Sequence, residues 1–236
     1  MECMNECRGM IAQTPEVYGK SVLGAPLLYF PCSGPCRLLV FAGIHGEECE
    51  TTFFLSRVLR MFAKQFSSIA VVLSANPDGA ILGTRGNAHG VDLNRNFATS
   101  NWRVTPVYCR SVLEASRDTR LSAGPAAGSE PETRALVELV ERLNPKAVVS
   151  IHAPIGCIDA KRESLLVRLL EESLGLPWVE DIGYETRGSF GTYCNERNLE
   201  CVTLELPRMA GELLYERYAE SFGRFLARYD SNLELD

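Results

Sequence analysis

The sequence predicts an α/β fold in one domain: a mixed, largely parallel, twisted sheet with helices on both faces. Three observations lead there. Short β-branched or apolar runs alternate with segments of helical periodicity along the chain, the order that gives a sheet covered on both sides. The run Leu38-Leu39-Val40-Phe41-Ala42 is apolar throughout, then stops at Gly43, with His45 and Glu48 following at the mouth of the next helix. A buried strand that passes through a glycine turn into a helix is a common way for α/β proteins to present reactive groups. Lastly, no internal repeat, low-complexity segment or linker divides the 236 residues, a length that one domain with a sizeable core accommodates.

Residues 1–20 read as irregular, with Pro15 and Gly19 limiting regular structure. Stretches 27–30 and 37–42 read as strands of a hairpin around the turn at 31–35. From 48 to about 66, Phe54, Leu55, Val58, Leu59 and Phe62 recur at helical spacing. Residues 69–74 form a short β-branched run, expected as a central strand. The stretch 75–129 is rich in Gly, Asn, Arg and Pro and has little periodicity. A compact domain rarely keeps so long an irregular segment without a use for it, so substrate contacts are expected there. Residues 130–143 read as a helix with Ser129 as N-cap and Pro131 near the first position. A buried strand at 146–151 ends at His152, and a helix at 163–174 is stopped by Gly175 and Pro177. Then come a strand at 179–182, a short helix at 188–198, a strand at 201–206 carrying Glu205, and an amphipathic helix at 212–229. The expected domain covers 1–236, with a core from about 22 to 229.

Hydrophobic content of 46% and charged content of 23% are those of an ordinary globular protein. A net charge of −6 argues against binding to nucleic acid or to an anionic membrane. No apolar run approaches the roughly 18 residues that span a bilayer. The first residues, MECMNECRGM, lack the apolar core of an export signal, so a cytoplasmic location is expected. The nine cysteines follow no framework spacing, and reduced thiols are expected. Cys3/Cys7 and Cys32/Cys36 each show a C-x3-C spacing, but incidental thiols are the better reading. The sequence leaves a homodimer open.

His45 and Glu48 lie three apart, so a helix already begun would put them on one face. An imidazole and a carboxylate so placed can hold two corners of a tetrahedral zinc ion, although most such pairs are solvated helix residues. His152 also follows the carboxyl end of a strand, where open α/β sheets bind ligands. Together the three supply the ligand count of a catalytic zinc site, one ion per chain, with one position left for water. The remaining histidine, His89, reads as a loop residue. Arg85, in Gly83-Thr84-Arg85-Gly86, and Arg95, in Asp92-Leu93-Asn94-Arg95-Asn96-Phe97, could bind an oxyanion and a carboxylate through the guanidinium fork. Solvation, or pairing with Asp78 and Asp92, is the alternative. Glu205 sits inside an apolar strand, which is costly unless it is paired, metal-linked or protonated. Facing a cleft it would be a general base; facing outward at an edge it would mean nothing.

Five separated motifs now agree: His45-x-x-Glu48, NPDG at 76–79, DLNRNF at 92–97, SIH at 150–152 and TLEL at 203–206. In this order, over residues 38 to 206, they resemble the zinc carboxypeptidase (M14) family. The resemblance implies a zinc-carboxypeptidase-like fold with His45, Glu48 and His152 as zinc ligands. It implies Arg85 as the oxyanion-stabilising arginine, Asn94 and Arg95 as the pair gripping a terminal carboxylate, and Glu205 as the general base. Counting back from Glu205 puts the family's mobile tyrosine at Gly183, leaving Tyr184 beside it as the candidate. GTRGNAHGVDLNRNF and VEDIGYETRGSFG resemble a narrower group in the family, amidases that cleave the γ-D-glutamyl–meso-diaminopimelate bond of cell-wall peptides. The implied substrate is a small peptide, L-Ala-γ-D-Glu-meso-Dap. Its diaminopimelate end carries an ammonium and a carboxylate, so the specificity pocket should hold both charges; Asp159, Glu185 and Arg187 are candidates in expected cleft-side loops. The rival readings are an N-deacylase of aspartoacylase or succinylglutamate-desuccinylase type, a general cytosolic carboxypeptidase, and a non-catalytic peptide-binding relative. The last is disfavoured because all four candidate metal and base residues are present.

Overall fold

In a computed structural model describing residues 10–110 and 118–231, β1 (Glu16–Lys20) and β2 (Pro26–Tyr29) form an antiparallel ribbon ahead of the main sheet. Strand β3 (Leu38–Ala42) runs through a tight turn into α1 (Cys49–Leu59). Next come β4 (Ile69–Val72), α2 (Pro77–Leu82) and one 3-10 turn, Leu93–Arg95. Strands β5 (Val107–Arg110) and β6 (Asp118–Leu121) make a second ribbon, followed by α3 (Pro131–Leu143), β7 (Ala147–His152) and β8 (Ile155–Asp159). The chain ends through α4 (Leu165–Leu174), β9 (Trp178–Val179), α5 (Phe190–Glu196), β10 (Glu200–Pro207) and α6 (Gly211–Ser231). The central sheet has the order β4-β3-β7-β10-β8-β9. Its first four strands are parallel, β8 is antiparallel to β10, and β9 is parallel to β8. It is mixed and largely parallel, as expected.

Burial on both faces decides which side chains reach the site. Leu38, Val40 and Ala42 of β3 pack in one layer with Val202, Leu204 and Leu206 of β10, against Phe54 of α1, Leu170 of α4 and Phe222 of α6. Leu39 and Phe41 point the other way, into a layer with Leu136 of α3 and Phe190 of α5. Side chains alternate along a strand. With Val202, Leu204 and Leu206 committed to the first layer, Cys201, Thr203 and Glu205 must face the α5 side. Likewise Val149 and Ile151 of β7 join the first layer, which turns Ser150 and His152 to the α5 side. Register then sets Glu205 beside His152 at the carboxyl ends of neighbouring parallel strands.

Several expectations change. Stretches 27–30 and 37–42 do not pair as a hairpin: β2 pairs with β1, so part of the segment expected to be irregular is a strand. Burial in β2 alternates, with Leu27 and Tyr29 inside and Pro26 and Leu28 outside, as suits a ribbon covered on one face; β3 is buried at every position. Helix α1 stops at Leu59 rather than near 66; Phe62 and Phe66 pack ring to ring, centroids 4.6 Å apart, beyond its end. Within 75–129, NPDG opens α2: Asn76 Oδ1 accepts the Gly79 N–H at 2.9 Å, Pro77 takes the first position, and Gly83 ends the helix at φ 66°. The N-cap of α3 is Glu130, and Ser129 Oγ donates to its carboxylate at 2.7 Å. Strand β9 is two residues, Trp178–Val179, against the four expected, and β8 was not foreseen at all. Cys3 and Cys7 lie outside the described residues, while Cys32 and Cys36 are free. Among the described residues no helix is long and apolar enough to cross a membrane.

Candidate active site

His45 and Glu48 stand in the turn before α1, which begins only at Cys49, so they do not share a helix face. The turn brings them together by another route. Ile44 O accepts from Asn76 Nδ2 at 3.3 Å, and Gly46 N donates to Arg85 O at 3.2 Å, clamping the turn onto the N-cap of α2 and the loop that follows the helix. A Cβ at Gly46 would run into the backbone of Gly79, so this approach requires glycine. His45 Nδ1 lies 2.7 Å from Glu48 Oε1, and His152 Nδ1 lies 3.3 Å from Glu48 Oε2. The two Nδ1 atoms are 3.2 Å apart. Two nitrogens held at about 2.0–2.1 Å by a tetrahedral zinc ion stand about 3.3 Å apart, so the paired imidazoles already have the spacing that zinc demands. All three residues are buried, and one ligand atom from each falls within 4.8 Å of the others. The donor set fits zinc in both chemistry and spacing.

Asp92, named from the sequence only as an alternative partner for the arginines, completes this group. It is fully buried, its Oδ1 lies 3.3 Å from His45 Nε2, and its Oδ2 accepts from Arg85 Nε at 3.0 Å. A carboxylate behind a ligating imidazole fixes the ring and raises its basicity. Burial and the Arg85 cation oppose protonation of His45, yet Glu48 and Asp92 outweigh them and lift the imidazole to about 9. Burial favours a neutral Glu48, but His45 and His152 hold its carboxyl far below the ordinary range. Asp92 is likewise held well down against burial, by Arg85 and then His45. Arg85 itself reaches Glu47 at 3.1 Å and Glu48 at 3.4 Å, so its pairing with Asp92 does not remove it from the site. Asp78, the other suggested partner, instead accepts from Ser21 Oγ at 2.7 Å.

These residues open onto a cavity of about 630 Å³ that also takes in Glu205, Asn94, Arg95, Tyr184 and Asp159. That is room for a small peptide or metabolite, in the usual range of about 300–1,000 Å³. Glu205 faces the cleft rather than a sheet edge: burial and then Glu48 push its carboxyl above the ordinary range, against the pull of His152. Asn94 Oδ1 accepts the Phe190 N–H at 2.8 Å, which anchors the 3-10 turn to α5 and leaves the amide NH₂ as a donor. Arg95 Nη1 donates to Asn94 O at 2.7 Å on the cavity wall. Tyr184 lines the cavity at its half-exposed rim. His89 is not in the cluster; its Nδ1 lies 2.7 Å from Glu130 Oε2. Glu185 and Arg187 pair with each other at 2.7 Å on the exposed surface and do not line the cavity, so of the three specificity candidates only Asp159 reaches it.

A profile of zinc carboxypeptidases matches residues 12–155. Murein peptide amidase A of Vibrio campbellii is 46% identical over 89% of this chain and 86% of its own. The protein of that name from Escherichia coli is 43% identical over 93% and 92%. The crystal structure of murein-tripeptide amidase from Escherichia coli O157 superposes with a TM-score of 0.88 at 41% identity, covering 93% of this chain and 94% of that one. Carboxypeptidase A from Helicoverpa armigera, at 17% identity and a TM-score of 0.68, covers 95% of this chain and 70% of that one and shares the fold. By sequence and by structure, the chain belongs to the zinc carboxypeptidase family.

Proposed function

We propose that this chain is a zinc-dependent amidase that hydrolyses the γ-D-glutamyl–meso-diaminopimelate bond of L-Ala-γ-D-Glu-meso-Dap. The reading rests on likeness over nearly the whole chain to two enzymes named murein peptide amidase A, together with a His–Glu–His cluster sharing one cavity with Glu205. Residues 1–236 act as a single catalytic domain with its core at about 22–229. A cytoplasmic location agrees with the free cysteines among the described residues.

In this mechanism His45, Glu48 and His152 hold the zinc, with Asp92 orienting His45. When bound, the ion supplies Lewis acidity towards a carbonyl and acidifies water. Glu205 accepts the proton of the attacking water and passes it to the departing amine; a raised carboxyl pKa suits it to do both. Arg85, held beside Glu48, donates to the developing oxyanion, a contribution whose loss typically costs about 10²–10³ in rate. Asn94 and Arg95 grip the carboxylate of the diaminopimelate L-centre, next to the scissile amide, as a C-terminal carboxylate would be gripped. Tyr184, at the rim, closes over the bound peptide. The test is Glu205→Gln, with zinc content and circular dichroism measured beside turnover. The expected variant is folded, carries one zinc, and has lost at least about 10²-fold in kcat. Retained turnover would remove Glu205 from the mechanism.

A further inference from the structure

The cavity continues past the reaction centre along β10, where Thr203 and Cys201 follow Glu205 on the same face. In β8, Asp159 is the register partner of Thr203, as Cys157 is of Glu205. Two residues of strand amount to about 6–7 Å, so Asp159 stands one step deeper than the general base. Its carboxylate lines the cavity and, among the described residues, has no hydrogen bond or ion pair. Burial pushes it up to about 6, and the carboxylates of Glu205 and Asp181 push it the same way, against His152. A half-buried carboxylate left beside two others is costly to keep and creates a strongly negative field for a cation to fill. Two residues on, Lys161 lines both this cavity and a smaller hollow of about 200 Å³ beside it, and it too has no ion-pair partner among the described residues. One end of the cavity thus presents a lone carboxylate and a lone ammonium close in sequence.

We propose that Asp159 and Lys161 together recognise a zwitterionic, amino-acid-like head group at the end of the substrate's side chain. Asp159 accepts from its ammonium and Lys161 donates to its carboxylate. The spacing agrees: three methylenes separate the two asymmetric centres of diaminopimelate, a span of about 5 Å when extended. That is comparable to the two-residue step of about 6–7 Å along the strands from the level of Glu205 to that of Asp159. The assignment deepens the amidase reading and rests on it. It explains how a cavity walled by so many acidic groups selects its substrate: specificity comes from pairing charges that are otherwise unpaired.

Three peptides differing only in the terminal residue test it: L-Ala-γ-D-Glu carrying meso-diaminopimelate, lysine or norleucine. The unaltered enzyme is expected to prefer them in that order. In Asp159→Asn the kcat/KM preference for diaminopimelate over norleucine falls about 10- to 100-fold, the usual consequence of removing one partner of a partly buried charge pair. In Lys161→Gln the discrimination between diaminopimelate and lysine shrinks, while that between lysine and norleucine persists. Turnover of the norleucine peptide by each variant shows that the fold has survived. An unchanged preference in Asp159→Asn overturns the proposal. Failure of the unaltered enzyme on all three peptides would count against the amidase reading instead. Calorimetric binding of free meso-diaminopimelate and of norleucine to the zinc-loaded protein then still decides the subsite. Asp159-dependent selectivity for diaminopimelate supports it, and equal affinity for the two amino acids overturns it.

Discussion

Replacing Asp92 with asparagine isolates the buried carboxylate behind the zinc cluster. The change preserves volume, and asparagine can still cap the turn at 93–95 by accepting the Asn94 N–H that Asp92 Oδ1 accepts at 2.9 Å. It cannot serve its other two neighbours. Its NH₂ must face either Arg85 Nε, now 3.0 Å from Oδ2, or His45 Nε2, now 3.3 Å from Oδ1, and both are nitrogen groups. Loss of a carboxylate that orients a ligating histidine typically weakens metal binding about 10- to 100-fold, or about 1.4–2.8 kcal/mol. Breaking one side of a buried ion pair costs about 3–5 kcal/mol of fold stability. Here the cost falls to about 2 kcal/mol, because Arg85 keeps Glu47 and Glu48 and is partly open to solvent. Zinc affinity by competition with a chromophoric chelator, and urea unfolding of the metal-free protein, read the two effects separately. A zinc Kd within twofold of the unaltered protein, with unchanged stability, would refute the assigned role of Asp92.

Removing zinc with a chelator should abolish hydrolysis and lower Tm by about 5–15 °C, from the roughly 3–4 kcal/mol that a ligand at 100 to 1,000 times its Kd contributes to a domain of this size; an unchanged Tm would speak against a metal at this site. Gly46→Ala should destabilise the fold by about 2 kcal/mol or more and impair zinc binding, since the added methyl meets the Gly79 backbone; unfolding within about 0.5 kcal/mol of the parent would contradict the close approach. Asp159→Asn should be more stable than the parent at pH 8 and equal to it below pH 4. The Asp159 carboxyl rises from 3.8 to about 6 on folding, so the parent binds this proton more tightly when folded and loses that stability as pH climbs through 6. The full shift would be worth about 3 kcal/mol, reduced to about 1 by the group's solvent access. A pH-independent difference in urea midpoints would show the carboxylate to be unstrained.

The metal and base residues were legible because each is tied to a strand end that an apolar run announces. Leu38–Ala42 leads to His45, Val148–Ile151 to His152, and the alternation around Leu204 and Leu206 turns Glu205 into the cleft. Asp92 was legible as a partner for Arg85, seven residues away, but not as the carboxylate behind His45, which is remote in sequence and which only folding brings within reach. The same limit explains the ribbon of β1 and β2: a five-residue segment broken by Gly19 becomes a strand through its partner, and its close packing on Ala135 of α3 is invisible locally. Helix α2 is six residues long, too short to show periodicity, and is held by a tertiary contact, Asp78 Oδ2 accepting the Leu23 N–H at 2.8 Å. Glu185 and Arg187 looked suited to a charged pocket by type, but their two-residue spacing lets them satisfy each other on the surface. Strand β8 was missed because Ile155-Gly156-Cys157 carries little β signal, and with it the wall that places Asp159 beside Thr203.

The central claim is the bond that is cut. The direct measurement is mass spectrometry of products when zinc-loaded protein is offered L-Ala-γ-D-Glu-meso-Dap, a hippuryl-type dipeptide and an N-acylated amino acid side by side. The account predicts free diaminopimelate and the dipeptide L-Ala-D-Glu from the first, with the other two left intact. Cleavage of the dipeptide or the acylated amino acid, with the murein peptide untouched, would contradict it while leaving the zinc site in place.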